Sequence, residues 1–155
     1  MMPILDADTL RRHVADLVHF DTQRAGYGLD LTVGTMFQVT GAGQLDFGGS
    51  EFEPADRSLI APERAHPDDD YGWWILDAGA YIVRYNEAID LGGGQRAEVF
   101  PLDRLIQAGA SHPAFTVHGA QTPPETLLTV GAHGIRLKEN CRISRLVGIG
   151  ADDTH

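Results

Sequence analysis

From Leu29 onward the apolar residues recur at every second position, in short runs separated by glycine, proline and asparagine. Leu29, Leu31, Val33, Phe37 and Val39 alternate with Asp30, Thr32, Gly34 and Gln38, the pattern of a strand buried on one face. Gly41-Ala42-Gly43 turns the chain, and Gln44 to Phe47 is predicted to return as a second strand. Trp73, Trp74 and Ile75 begin another strand, Tyr81, Val83 and Tyr85 mark the next, and Ala97 and Val99 lead to Phe100. Later strands are predicted at 114–118, 126–130, 134–138 and 142–149. Only residues 6–19 carry a helical period, with Leu10, Val14, Leu17 and Val18 on one side and Asp6 and Asp8 as candidate caps. Many short strands with little helix predict an all-β sandwich or barrel.

The intervening segments read as connections. Residues 54–72 hold three prolines and the run Asp68-Asp69-Asp70, and are predicted as a loop whose acids form a solvated face rather than a metal site. Gly92-Gly93-Gly94 has no Lys-Ser/Thr after it and no helical pattern, so it is predicted as a hairpin turn and not a phosphate loop. At 155 residues the chain has the length of one domain. The expected organisation is an N-terminal helix over about 6–19, a β domain over about 22–149 and a short tail over 150–155.

Charge and chemistry narrow the function. The net charge is −10, with eleven arginines and the single lysine Lys138. That balance argues against general nucleic-acid binding, which needs a positive footprint. It fits solubility at high salt or a GC-rich genome, and it leaves room for an isolated nucleotide held by a few arginines. No apolar run reaches the ~20 residues of a membrane span, and the N-terminus lacks a signal-peptide pattern, so a cytoplasmic location is expected. Cys141 is the one cysteine and reads as a small buried hydrophobe. Without a Cys-x-x-Cys pair, no zinc deaminase site of the usual type is expected. His112 and His118 would share a face of a straight strand, but surface or core roles outweigh a metal pair. None of Ser50, Ser58, Ser111 and Ser144 lies in a nucleophile elbow.

Three segments carry a further signal: Gly26-Tyr27-Gly28-Leu29-Asp30-Leu31-Thr32, Pro101-Leu102-Asp103-Arg104-Leu105-Ile106-Gln107 and Asn140-Cys141-Arg142-Ile143-Ser144-Arg145-Leu146-Val147. With Trp74 to Glu87 and Leu127-Leu128, their order and spacing resemble the archaeal-type dUTPases of the dCTP deaminase/dUTPase superfamily, over roughly residues 22–148. The resemblance implies a distorted jelly-roll with one N-terminal and one short internal helix. It also implies a homotrimer with active sites at subunit contacts, and a deoxynucleotide ligand, dUTP or dCTP, accompanied by Mg2+ and not zinc. It maps a catalytic aspartate onto Asp30, which reads equally well as a structural carboxylate beside the strand. Candidate nucleotide and phosphate contacts are then Arg142, Arg145 (alternatively a subunit salt bridge), Arg104, which could partly restore the charge of the second motif, and Tyr27, whose ring could stack on a base.

The same comparison exposes departures. In the second motif the family's Pro-Arg-Ser-Ser-Leu-Leu-Arg has lost its first arginine to Leu102, its hydroxyls to Asp103 and Arg104, and its last arginine to Gln107. As part of a helix, Arg104 would point about 200° away from position 102. In the third motif the aspartate falls on Val117 and the aromatic residue on Ala120, with Gly119 kept; the deaminase glutamate becomes Thr129, leaving Glu125 as the neighbouring candidate carboxylate. Each such loss costs a factor of roughly 10²–10³ in rate. The reading is therefore a nucleotide-binding, regulatory or structural homologue with degenerate catalytic motifs. The alternatives are an active dUTP diphosphatase or dCTP deaminase with a rearranged site, or unrelated chemistry on the same scaffold.

Overall fold

The 12-residue strand Gly28–Val39 is the spine of the computed structural model, which describes residues 3–151. Its first half pairs antiparallel with Arg142–Ile149. Its second half lies between Gly79–Tyr85 and Arg57–Ile60. The pairing slips between Val33 and Thr35, where Gly34 stands so close to Asn86 that a Cβ would press on it. From this bend the sheet runs one way through Arg142–Ile149 and Arg96–Pro101 to Phe115–Val117. It runs the other way through Gly79–Tyr85 and Glu125–Val130 to Ala110–Ser111. Residues from both arms, among them Leu29, Leu31, Val83, Val99, Val117, Leu128 and Leu146, join in one apolar core. Val14–Ala15, Ala88–Asp90 and Ala120–Gln121 form a small second sheet, and Trp73–Leu76 pairs with Ile135–Lys138. This is the distorted jelly-roll of short strands expected from the sequence. No helix among the described residues is long and apolar enough to cross a membrane.

The alternation that predicts the later strands places their side chains as expected. Thr126, Leu128 and Val130 are buried while Glu125, Leu127 and Thr129 are exposed, and Ile135 and Leu137 are buried while Arg136 and Lys138 are not. The short internal helix is Asp103–Gln107.

Elsewhere long-range pairing overrides local pattern. The helix expected over 6–19 is shorter: α-helix covers Ala7–Leu10, capped by Asp6 accepting from the Thr9 N–H, and one 3-10 turn follows. Val14 and Ala15 then pair with Ile89 and Ala88, and Asp16 adopts a left-handed conformation, so the helix cannot continue. A second short helix, Phe20–Gln23, follows. Gln44 to Phe47 makes only a bridge to Glu53, because Arg57–Ile60, inside the expected loop, takes the edge of the spine instead. The three glycines 92–94 join strands of two different sheets and are not a hairpin. Of the tail expected over 150–155, residues 152–155 lie outside the described residues. The spine also departs from its pattern: Gly28 to Val33 are all buried, so Asp30 and Thr32 face protein and not solvent.

Gly28 makes this spine's first pairing feasible. It has φ +121°, and a Cβ there would collide with the carbonyl oxygen of Leu146. Gly28→Ala is expected to destabilise the fold by about 2 kcal/mol or more, measured by urea denaturation. A change within about 0.5 kcal/mol would mean that the pairing tolerates a side chain here.

Candidate functional site

Arg142 and Arg145 are three residues apart, and in a regular strand they would face opposite sides. A bulge between Arg142 and Ser144 changes that: Arg142 stands opposite Thr32 and Arg145 opposite Asp30, two spine positions on the same face. Both arginines therefore reach Asp30, whose side chain is 3% exposed. Arg142 Nη1 donates to Oδ2 at 3.1 Å and Arg145 Nε donates to Oδ1 at 2.8 Å, so each carboxylate oxygen accepts from one guanidinium. Arg142 also donates to the Thr22 carbonyl at 3.0 Å.

The bulge turns both Ile143 and Ser144 inward. Ser144 Oγ lies 2.7 Å from the Tyr85 hydroxyl and 2.7 Å from His112 Nε2. His112 Nδ1 lies 2.9 Å from the Pro113 carbonyl, which can only accept, so Nδ1 carries the proton. The chain is directional: Tyr85 donates to Ser144, and Ser144 donates to a neutral His112. Ser144 is fully buried, so this pairing holds the bulge and offers no nucleophile. His112 is thereby a core histidine, and Pro113 breaks the straight strand that would have aligned it with exposed His118.

An open cleft of about 560 Å³ lies over the clamp, lined by Tyr27, Asp30, Phe100 to Arg104, Arg142, Arg145 and Val147. It gathers Tyr27, Asp30, Arg104, Arg142 and Arg145, five of the six residues singled out in the sequence. Arg104 is there because Leu102 precedes the helix in extended conformation, so helical spacing does not relate the two positions. The Arg104 side chain makes no hydrogen bond or ion pair among the described residues. Glu125 does not line the cleft; it pairs with Arg57 at 3.0 Å and with Arg84, its cross-strand neighbour, at 3.1 Å. Cys141 is largely buried and its thiol is pushed up to about 11 by desolvation, an unreactive state.

Behind the cleft lies a polar network that sequence reasoning missed. Glu87 is fully buried and accepts from both the Thr32 N–H and the Thr32 hydroxyl. Gln23 donates to Glu87 at 3.4 Å and to the Asp30 carbonyl at 2.9 Å, and its own side-chain oxygen accepts from the His19 N–H. Asn86 donates to Thr32 Oγ1 and to Asn140 Oδ1. Gln23, Thr32 and Asn140 line a second hollow of about 420 Å³, and Arg104 and Arg142 line both. Its sequence signal is a glutamate directly after an apolar-alternating strand, where neither turn nor solvent face needs one.

A probable deoxyuridine 5'-triphosphate nucleotidohydrolase of Methanosarcina acetivorans is 31% identical over 94% of this chain and 87% of its own. A protein of the same description from Archaeoglobus fulgidus is 30% identical over 96% of this chain and 88% of its own. The chain belongs to the dCTP deaminase/dUTPase superfamily. No protein-family model matches it. The fold also superimposes on 2'-deoxycytidine 5'-triphosphate deaminase from Agrobacterium tumefaciens, with a TM-score of 0.71 at 15% identity. That match spans 97% of this chain and 47% of the deaminase chain.

Against the superfamily's pattern, the cleft joins the segments corresponding to the first, second and fourth motifs. The third does not contribute to it: Val117 is buried in the core, and Ala120 pairs with Asp90 in the small sheet. The superfamily's glutamine in the fourth motif is here Arg145, the closer partner of Asp30.

Desolvation raises Glu87 from an ordinary 4.5 to about 7, outweighing the Thr32 hydrogen bonds that favour the anion. The folded protein thus holds a proton that the unfolded chain releases. This contribution to stability is complete below pH 4.5 and is lost as pH rises through 7. Buried His112 acts oppositely: its pKa is lowered from 6.5 by desolvation, so stability falls as pH drops below that value. Glu87→Gln, a mimic of the protonated acid, should gain stability relative to the parent by up to about 3 kcal/mol between about pH 5 and pH 8. Urea denaturation across that range checks this; a pH-independent difference would show that Glu87 does not titrate there.

Proposed function

We propose that this protein binds a deoxyuridine or deoxycytidine nucleotide in the cleft and serves a nucleotide-binding or regulatory role, with its catalytic motifs degenerate. The observation that carries this reading is the commitment of Asp30: each of its oxygens accepts from an arginine, and it is 3% exposed. A carboxylate held this way is a weak positioner of water, since an arginine already occupies each of its oxygens. The other carboxylate at the cleft, Asp103, is exposed and stands where the family has a phosphate-binding hydroxyl. The groups available for recognition are the unpaired Arg104, the outer edges of Arg142 and Arg145, and Tyr27, which is 70% exposed and presents a ring for stacking.

Asp30, engaged by two cations, is not free to hold a resident magnesium ion, and among the described residues no group of three or more His, Cys, Asp or Glu side chains could hold one. Magnesium carried in on the nucleotide's phosphates belongs to the ligand. A homotrimer accords with the incomplete cleft wall and with exposed apolar side chains such as Tyr27, Phe100 and Ile106. Sedimentation of the purified protein tests it, and a monomer at working concentration would refute it.

The names of the relatives favour a second reading, hydrolysis of dUTP to dUMP and pyrophosphate by a rearranged site. In it Arg104, Arg142 and Arg145 take the phosphates and the nucleotide draws the arginines away from Asp30, freeing that carboxylate to orient water. The two readings separate in one experiment. With dUTP or dCTP and magnesium, the first predicts a rise in melting temperature with release of neither pyrophosphate nor ammonia. Turnover that Asp30→Ala abolishes would overturn it in favour of the second. Absence of any nucleotide-dependent shift would remove both.

A further inference from the structure

A third hollow, about 210 Å³, is lined by Arg104 and Leu105 of the helix Asp103–Gln107 and by Ala108 after it. Trp73, Arg104, Arg136, Lys138, Cys141 and Arg142 line it beside apolar residues, and no carboxylate does. In a chain with 22 acidic and 12 basic residues, this is a local reversal of sign. The chain's single lysine is among its walls.

The strand pairing explains how the charges come together. Arg136 and Lys138 occupy the exposed positions of the strand Ile135–Lys138, on one face and about 7 Å apart along it. They stand opposite Ile75 and Trp73. Both cations lean on one indole: Arg136 Cζ is 5.3 Å and Lys138 Nζ 5.6 Å from the Trp73 ring. The ring's quadrupole favours each cation but leaves their mutual repulsion unneutralised. The neighbouring acid, Glu139, makes no ion pair with either among the described residues; its Oε1 accepts from the Gly72 N–H at 2.8 Å. Arg104 and Arg142 complete the ring of charge and line the cleft as well, so the two spaces adjoin through the same guanidiniums.

We infer that this hollow is an anion-binding site for a polyphosphate chain, with Arg136 and Lys138 supplying charge that the nucleotide cleft lacks. The ligand chemistry is that of linked phosphates, either free pyrophosphate or the tail of a nucleotide seated in the cleft. Arg142 is already paired with Asp30, and a single carboxylate would leave most of the other three cations unanswered, whereas a pyrophosphate presents several charged oxygens to the guanidiniums and the ammonium at once.

Calorimetric titration of the full chain with pyrophosphate, dUMP and dUTP, each at low and high salt, tests this. The comparison is with Arg136→Gln/Lys138→Gln, whose exposed positions leave the core intact, and with Arg136→Gln alone. The double variant should keep its melting temperature and its affinity for dUMP. Its affinity for pyrophosphate or for dUTP should fall about tenfold or more, and the parent's affinity should weaken with salt. Loss confined to pyrophosphate identifies a free anion; loss for dUTP identifies the nucleotide tail. Unchanged affinity for both ligands, or no binding of either by the parent, would overturn the inference. If nucleotides fail to bind but pyrophosphate binds and is lost in the variant, the hollow stands and the nucleotide reading falls.

Discussion

The site depends on one irregularity in strand register. Without the bulge between Arg142 and Ser144, only one of Arg142 and Arg145 would face Asp30. A carboxylate with 3% exposure and one partner would carry a desolvation cost of several kcal/mol that a single half-exposed arginine repays only in part. With the bulge, each oxygen has its own guanidinium. Ser144, turned inward by the same bulge, needs buried partners of its own, and Tyr85 and His112 provide them. Register, clamp and core hydrogen bonds therefore stand or fall together.

The opposite consequence appears on the spine. Thr32 follows Asp30 on the same face and is likewise buried, so its N–H and hydroxyl require acceptors away from solvent. Glu87 supplies them, and Gln23 ties Glu87 to the Asp30 carbonyl. The cover over this face is the N-terminal segment, whose short helix Phe20–Gln23 places Gln23 there. This accounts for the truncated first helix. A continuous helix over residues 6–19 would satisfy local periodicity, but it would forgo the pairing of Val14–Ala15 with Ala88–Ile89. Isolated helices of that length are marginal in water, so the strand pairing prevails.

The strands after residue 110 were legible because each is covered on one face only, and alternation then encodes the register directly. The spine was legible as a strand but not as one buried on both faces, since Asp30 and Thr32 look like solvent positions until their partners at 87, 142 and 145 are known. Five of the six candidate site residues converge because the motifs that carry them pair directly: Tyr27 and Asp30 precede or begin the spine, and Arg142 and Arg145 lie on its partner. Glu125 is near Thr129 in sequence, but its strand register puts it beside Arg84. Trp73, Arg136 and Lys138 had a signal that composition obscured: Arg136, Lys138, Arg142 and Arg145 fall within ten residues of an otherwise acidic chain.

That clustering bears on where an anion gains most. At Arg142 and Arg145 a phosphate must compete with Asp30, which already holds both guanidiniums at hydrogen-bond distance. Arg104, Arg136 and Lys138 make no ion pair among the described residues, and no carboxylate lines the hollow they share. The same formal charge therefore offers more net attraction in that hollow than over the clamp, because an ion pair already made screens its members. Just before the helix Asp103–Gln107, Leu102 is buried, and the positive charge of the segment is on Arg104, which lines both spaces. That short helix thus carries, in Arg104, a cation that serves the cleft and the carboxylate-free hollow together.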